Sequence, residues 1–170
     1  MRSNHILNRV LILVLIMFNA GCDQVTKTIV RERVSYHERI PVIDNHLTLT
    51  KVENYGAFLS SGDSLPYAIK FILLSLMPLL VLAYGFYFLM TKTNLDRLFV
   101  TGICFIIGGG IGNLYDRIIH GSVTDFLHID IVIFQTGIFN AADLSIMVGM
   151  CLVLIHLYFK KISPQIQSEQ

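Results

Sequence analysis

The stretch Leu98-Phe99-Val100-Thr101-Gly102-Ile103-Cys104-Phe105-Ile106-Ile107-Gly108-Gly109-Gly110-Ile111-Gly112-Asn113-Leu114-Tyr115-Asp116-Arg117 decides the fold. It is long enough and apolar enough to cross a bilayer as a helix, which takes about 20 such residues. Its glycines let helix backbones approach closely in lipid. It then turns polar at one end, where Asn113, Asp116 and Arg117 gather. Two further carboxylates follow, Asp125 in Val123-Thr124-Asp125-Phe126 and Asp143 in Phe139-Asn140-Ala141-Ala142-Asp143. A carboxylate beside a bilayer is costly to keep and marks a functional site. Paired carboxyls with no metal-ligand motif nearby point to acid/base chemistry on a water molecule, as in an aspartyl protease embedded in a membrane.

Three more spans are predicted around this one, giving segments of about 7–25, 67–90, 98–118 and 141–159. Composition agrees: 54% of the 170 residues are hydrophobic and 15% charged, against about 25% charged in a soluble domain. The fold class is membrane α-helical, four transmembrane helices with a small extracytoplasmic β-rich cradle. Pro78 is expected to kink the second span. Outer loops cover about 26–66 and 119–140, one peptidase domain covers 1–163, and 164–170 reads as a disordered tail. His46-Leu47-Thr48-Leu49-Thr50-Lys51-Val52 alternates apolar and polar, a strand signal, and Asn54-Tyr55-Gly56 reads as a turn. The apolar run 129–134 reads as a strand or an interfacial segment. No internal repeat or low-complexity segment is visible.

Four spans put both termini on one side. Arg2, Arg9, Lys92, Arg97, Lys160 and Lys161 favour the cytoplasm for that side, although Lys27, Arg31, Arg33, Arg39 and Lys51 load the opposite side as well. A net charge of +1 implies no nucleic-acid partner. Of three cysteines, Cys104 and Cys151 lie in apolar runs and read as small packing residues. Arg2, Arg9, an apolar run and Asn19-Ala20-Gly21-Cys22 look like a secretory signal ending in a lipidation cysteine. Asn19 stands where such a signal wants an aliphatic residue, and three further spans make a lipid anchor redundant. Cys22 is therefore read as a helix residue, with lipidation there kept as an alternative.

Five boxes in order carry a family resemblance: Asp23-Gln24-Val25-Thr26-Lys27; Asn54-Tyr55-Gly56-Ala57-Phe58; Gly108 to Arg117; Val123-Thr124-Asp125-Phe126; and Phe139-Asn140-Ala141-Ala142-Asp143. With the four-span plan, the chain resembles the lipoprotein signal peptidases, the bacterial signal peptidase II type, from about residue 10 to 160. The resemblance implies an endopeptidase of the bacterial inner membrane with its active site at the outer face. Its substrates are prolipoproteins, cut just before a diacylglyceryl-modified cysteine, and membrane lipids surround it. It implies no metal and no cofactor, catalytic residues Asp125 and Asp143, and inhibition by a globomycin-like cyclic depsipeptide in the same site.

The residues themselves leave other readings beside these. Asp143 follows Asn140 by three, as in a helix-capping pair, and the alternative for Asp125, a weaker one, is a solvated loop acid. Asp116 and Arg117 read as an interfacial ion pair or a helix end, with Arg117 also suited to a phosphate or a carbonyl. Asn54, Asn113 and Asn140 are amides able to hold a peptide or to tie the helices together, and Gly56 permits a turn or close substrate approach. Asp23 and Lys27, one helical turn apart, are expected to pair and fix the first span against the catalytic rim. Residues 54–64 suit a lid.

Zinc and serine chemistries lack their motifs: there is no His-Glu-x-x-His and no Gly-x-Ser-x-Gly. The non-enzymatic alternative, a small proton-coupled carrier, calls for acids near mid-span and a repeat between halves.

Overall fold

In the computed structural model, which describes residues 2–36, 38–44, 46–56, 65–131 and 133–168, four helical segments are long and apolar enough to cross a membrane. They are α1 (Arg2–Arg33), a second span built of α2 (Tyr67–Phe71) and α3 (Met77–Thr91), α4 (Arg97–Ile119) and α5 (Ala141–Ser168). Between α2 and α3 the helix widens to a π-turn over Ile72–Leu76. Pro78 explains it: proline has no N–H to return to the carbonyl four residues earlier, so the ladder loosens in the preceding turn.

The chain is inverted relative to a soluble domain. Met17 and Phe18 are 70% and 66% exposed on the rim of the bundle, while Asp23, Lys27 and Asp116 are fully buried. An apolar exterior around a polar interior is what a bilayer solvent selects. Cys104 is buried in the core formed with Ile12, Ile16, Leu89 and Ile107. Cys151, expected to be a packing residue, instead faces outward.

Helix α4 is the central element, packed on α1, α3 and α5, and its glycines explain how. An added Cβ at Gly102 would stand 2.8 Å from the Gly149 carbonyl of α5. One at Gly109 would collide with the Ala142 carbonyl, and one at Gly108 would come within 2.9 Å of the Ile16 carbonyl of α1. Small residues at successive turns thus seat both neighbours directly on the α4 backbone. The Ser145 hydroxyl, 2.9 Å from both Asn19 Oδ1 and the Phe105 carbonyl, adds a polar tie among the three helices.

A sheet caps one end, ordered β1 (Ile40–Ile43), β2 (Leu47–Asn54), β3 (Val123–Ile131), β4 (Phe134–Gln135) and antiparallel throughout. The predicted alternating strand becomes β2, and the ambiguous run 129–134 divides between β3 and the short β4. Helix α1 runs eight residues past its predicted end at Val25 to Arg33. The reason is packing: Val30 and the following Val34 bury against Phe126 of β3, so the last turns leave the apolar layer and join the sheet. Cys22 lies inside this unbroken helix, exposed on its outer side. At the other end α5 continues to Ser168, through Pro164, where a disordered tail was predicted.

Close helix approach makes a test. Gly109→Ala sets a methyl against backbone, which cannot swing away, and is expected to lower stability by about 1–3 kcal/mol. Gly21→Ala, where nothing lies within 4 Å of the added carbon, is expected to hold or raise the unfolding temperature in detergent, since alanine is the better helix former. Equal melting of the two variants would contradict the seating.

Candidate active site

Chain connections bring the two candidate aspartates together at the sheet end of the bundle. Asp125 sits on β3 opposite Val52 of β2. Two residues further along β3, the Leu127 backbone pairs with Phe139 in both directions, at 2.8 and 2.9 Å. That pairing delivers Asn140 and the first turn of α5, which holds Asp143, to the side of Asp125. The eighteen-residue interval between the acids is thus closed by backbone hydrogen bonds.

Three asparagines hold the carboxylates. Asn54 Nδ2 donates to Asp125 Oδ2 at 3.0 Å, and Asn140 Nδ2 donates to Asp125 Oδ1 at 2.6 Å. Asn113 Nδ2 donates to Asp143 Oδ1 at 2.8 Å, and the Asn140 backbone N–H donates to Asp143 Oδ2 at 3.2 Å. The Asp143 N–H returns a bond to Asn140 Oδ1 at 3.0 Å. Asn140 and Asp143 therefore form the reciprocal cap expected from their spacing, while the same two side chains face Asp125. Capping and site-building are one arrangement here.

Each amide has a fixed orientation. Lys27 Nζ donates to Asn113 Oδ1 at 2.8 Å; an ammonium only donates, so the Asn113 oxygen must face it and the NH2 must face Asp143. Asn54 is oriented by the Gly56 N–H, which donates to its Oδ1 at 2.9 Å. Gly56 thus forms a turn, and its carbonyl accepts from Arg117 Nη2 at 3.3 Å. Asn54, Asn113 and Asn140 bond the aspartate pair directly, while Gly56 and, through its carbonyl, Arg117 join it by way of Asn54.

Beneath them lies a buried ionic cluster. Lys27 Nζ stands 2.8 Å from Asp23 Oδ2 and 3.0 Å from Asp116 Oδ2. Arg31 Nη2 stands 2.9 Å from Asp116 Oδ1. Gln24 Nε2 donates to Asp116 Oδ1 at 3.1 Å, and Asp23 Oδ1 caps the Ala142 N–H of α5 at 2.9 Å. The expected Asp116–Arg117 pair is replaced by Asp116–Lys27 and Asp116–Arg31. Consecutive helix residues point about 100° apart, so Asp116 turns to α1 while Arg117 turns to the pocket.

Sequence reasoning missed Arg31, Gln24, Thr124 and Glu53 as members of the site. Arg31 Nε donates to Thr124 Oγ1, which donates to Glu53 Oε1, at 2.8 and 2.9 Å. For Arg31 the signal was present: Asp23, Lys27 and Arg31 recur every four residues and share one helix face. Ala57 and Phe58, and the proposed lid beyond Gly56, lie outside the described residues.

Asp125 is 4% exposed. Burial pushes its carboxyl up to about 6, with nearby Asp143 adding to the rise and the hydrogen bonds from Asn54 and Asn140 opposing it. Among the described residues, no three His, Cys, Asp or Glu side chains converge to hold a metal ion.

Removing one partner from a buried ion pair typically costs about 3–5 kcal/mol. Lys27→Met, which strands the Asp23 carboxylate, is expected to destabilise by that amount. Adding Asp23→Asn leaves Asp116 with Arg31 and should recover most of it. Unfolding curves in detergent that show no recovery in the double variant would refute the charge-balance account.

The chain matches the sequence model described as signal peptidase (SPase) II over residues 12–159. It is 33% identical over 137 residues to a lipoprotein signal peptidase from Geobacillus kaustophilus, covering 81% of this chain and 86% of that one. A lipoprotein signal peptidase from Desulforapulum autotrophicum is 36% identical over 142 residues, covering 82% and 86%. A solved bacterial membrane enzyme, determined by the in meso method at 2.3 Å resolution, superposes with a TM-score of 0.78 at 27% identity, covering 88% of each chain. Fold, site and these likenesses agree: the chain belongs to the signal peptidase II family.

Proposed function

We propose that this membrane protease, which removes signal peptides from prolipoproteins, works as an aspartic endopeptidase with Asp125 and Asp143 as its catalytic pair and no metal. The observation that carries the reading is the shared clamp: Asn140 binds both carboxylates at once. Nothing in the fold favours the carrier alternative, because the acids sit at one rim beside the sheet rather than at mid-span.

Peptide hydrolysis by two carboxyls requires one protonated and one ionised. Asp125, the more deeply buried member with its carboxyl pushed up to about 6, holds the shared proton and donates it toward the scissile carbonyl oxygen. Asp143, partly exposed in the first turn of α5, accepts a proton from the attacking water. The carbonyl becomes tetrahedral; as the C–N bond breaks, Asp143 passes its proton to the departing amine and a hydroxyl of the intermediate returns one to Asp125. The pair titrates as a unit, so its pH limbs belong to both residues. Arg117, bonded to the Gly56 carbonyl, lies where it can bind a peptide carbonyl or a lipid phosphate.

Placement at the sheet end suits a substrate whose diacylglyceryl group stays in the bilayer while the bond before its cysteine reaches the rim. The termini then lie in the cytoplasm, the site faces outward from the inner membrane, and a globomycin-like cyclic depsipeptide competes for the same pocket.

A gel-shift assay with a diacylglyceryl-modified prolipoprotein tests this. Asp125→Asn and Asp143→Asn are each expected to reduce cleavage by at least about 10²–10⁴-fold, the usual range for a lost acid/base group, while the protein still inserts. Chelator should change nothing. Full activity in either variant, or chelator-sensitive cleavage, overturns the assignment.

The pH profile supplies a second check. Raising the pH strips the proton the pair shares, so kcat/KM should fall on the alkaline side, along a limb lying above the ordinary carboxylate range because burial raises the Asp125 pKa. The Asn54 hydrogen bond holds that value down, so Asn54→Ala should move the alkaline limb to higher pH. A limb that stays put or moves to lower pH would contradict the assigned proton.

A further inference from the structure

We propose that a groove at the end of the molecule away from the sheet binds one anionic phospholipid, with its phosphate among Arg9, Lys92 and Arg97. The groove has a volume of about 520 Å³. It forms because α1 and α3 both lean on α4 and leave a gap between their ends. Its floor is apolar, lined by Leu11, Leu15 and Leu89, a surface suited to an acyl chain. Its mouth carries the three cations, all exposed.

The charge at the mouth is only partly offset, by the carboxylate of Asp96 next to Arg97 in sequence. Among the described residues no carboxylate pairs with Arg9, Lys92 or Arg97. The nearest acid in sequence, Asp96, is committed elsewhere. Its Oδ1 caps α4 by accepting the Leu98 N–H at 2.8 Å, and His156 Nδ1 of α5 lies 3.3 Å from it. Three cations on an apolar slot at a helix-end interface match a lipid with a negative headgroup. A signal peptide is the competing occupant, but it begins with a positive segment that these cations repel. From Arg9 to Lys27 the α1 helix rises by roughly 27 Å, at 1.5 Å per residue. The groove is therefore remote from the aspartates, and its occupancy and the protease assignment stand or fall separately.

The test uses the full chain in nanodiscs of equal phosphatidylglycerol and phosphatidylcholine, released into native mass spectrometry. One phosphatidylglycerol per chain should be retained, in at least about tenfold preference to phosphatidylcholine, given roughly fivefold per cation near an anionic lipid. The triple variant Arg9→Gln, Lys92→Gln, Arg97→Gln should lose that preference, while Lys160→Gln with Lys161→Gln keeps it. Thr101→Trp, which fills the slot without touching the charges, should also expel the lipid and covers the case in which the triple variant folds poorly. Equal retention of both lipids, or an unchanged preference in the triple variant, would overturn the proposal. Displacement by inorganic phosphate alone, or by a basic signal-sequence peptide, would overturn it in favour of a free anion or the substrate.

Discussion

One buried ammonium organises this molecule. Lys27 is fully buried yet reaches Asp23, Asp116 and Asn113 at once. Burying an isolated charge in a low-dielectric interior is prohibitive, so its partners are obligatory. They come from α1 and α4, and Asp23 also takes the Ala142 N–H of α5. Three of the four spans are thereby locked in register by a single charge. The same Nζ fixes which way the Asn113 amide faces, so the structural cluster and the geometry at Asp143 share an atom.

The glycines of α4 are the steric counterpart of that cluster. A Cβ at Gly112 would overlap the Asp23 carboxylate, and one at Gly109 the Ala142 carbonyl. The charges can meet only because the backbone between them is bare. In lipid the apolar exteriors of the helices gain nothing by touching each other, so close packing and buried polar contacts must hold the bundle. Polar residues inside and apolar residues outside are therefore consequences of one solvent, and the close spacing between helices is set by glycine.

Much of this was legible in the sequence. Span number and order followed from apolar length, and the Asp23–Lys27 pair followed from helical spacing. Asn54, Asn113, Asn140 and Arg117 were read as pocket residues from the hydrogen-bonding chemistry of amide and guanidinium groups, with structural ties and a helix-end pair as the alternatives. What escaped detection depended on tertiary contacts. The extension of α1 to Arg33 is driven by Val30 meeting Phe126, a contact with no local signature. Asp116 was matched to its neighbour Arg117 because adjacency in sequence suggested it, whereas the helix sends the two in different directions. Arg31 was written off as a loop charge once the span was ended too early, although its four-residue spacing from Lys27 was in plain view. Cys151 shows the opposite weakness: in a membrane protein an apolar run does not say which face is inside.

Asn140 and Asp143 join stability to chemistry most directly. A cap satisfies backbone groups at a helix start that nothing else reaches, and an acid in the first turn is favoured by the helix dipole. Those two local rules alone would place an aspartate here with its carboxylate held in one rotamer. The backbone pairing of Leu127 with Phe139 then sets that ready-made carboxylate beside Asp125. No strained conformation is needed to assemble the pair. The energetic burden falls instead on Asp125, which is buried with a second acid nearby, and two amides are aimed at it. The rise in its pKa is the residue of that unequal contest, in which burial outweighs the hydrogen bonds. On the proposed mechanism, a pair that shares one proton between two carboxyls gains from this asymmetry, because Asp125 is buried and Asp143 is partly exposed.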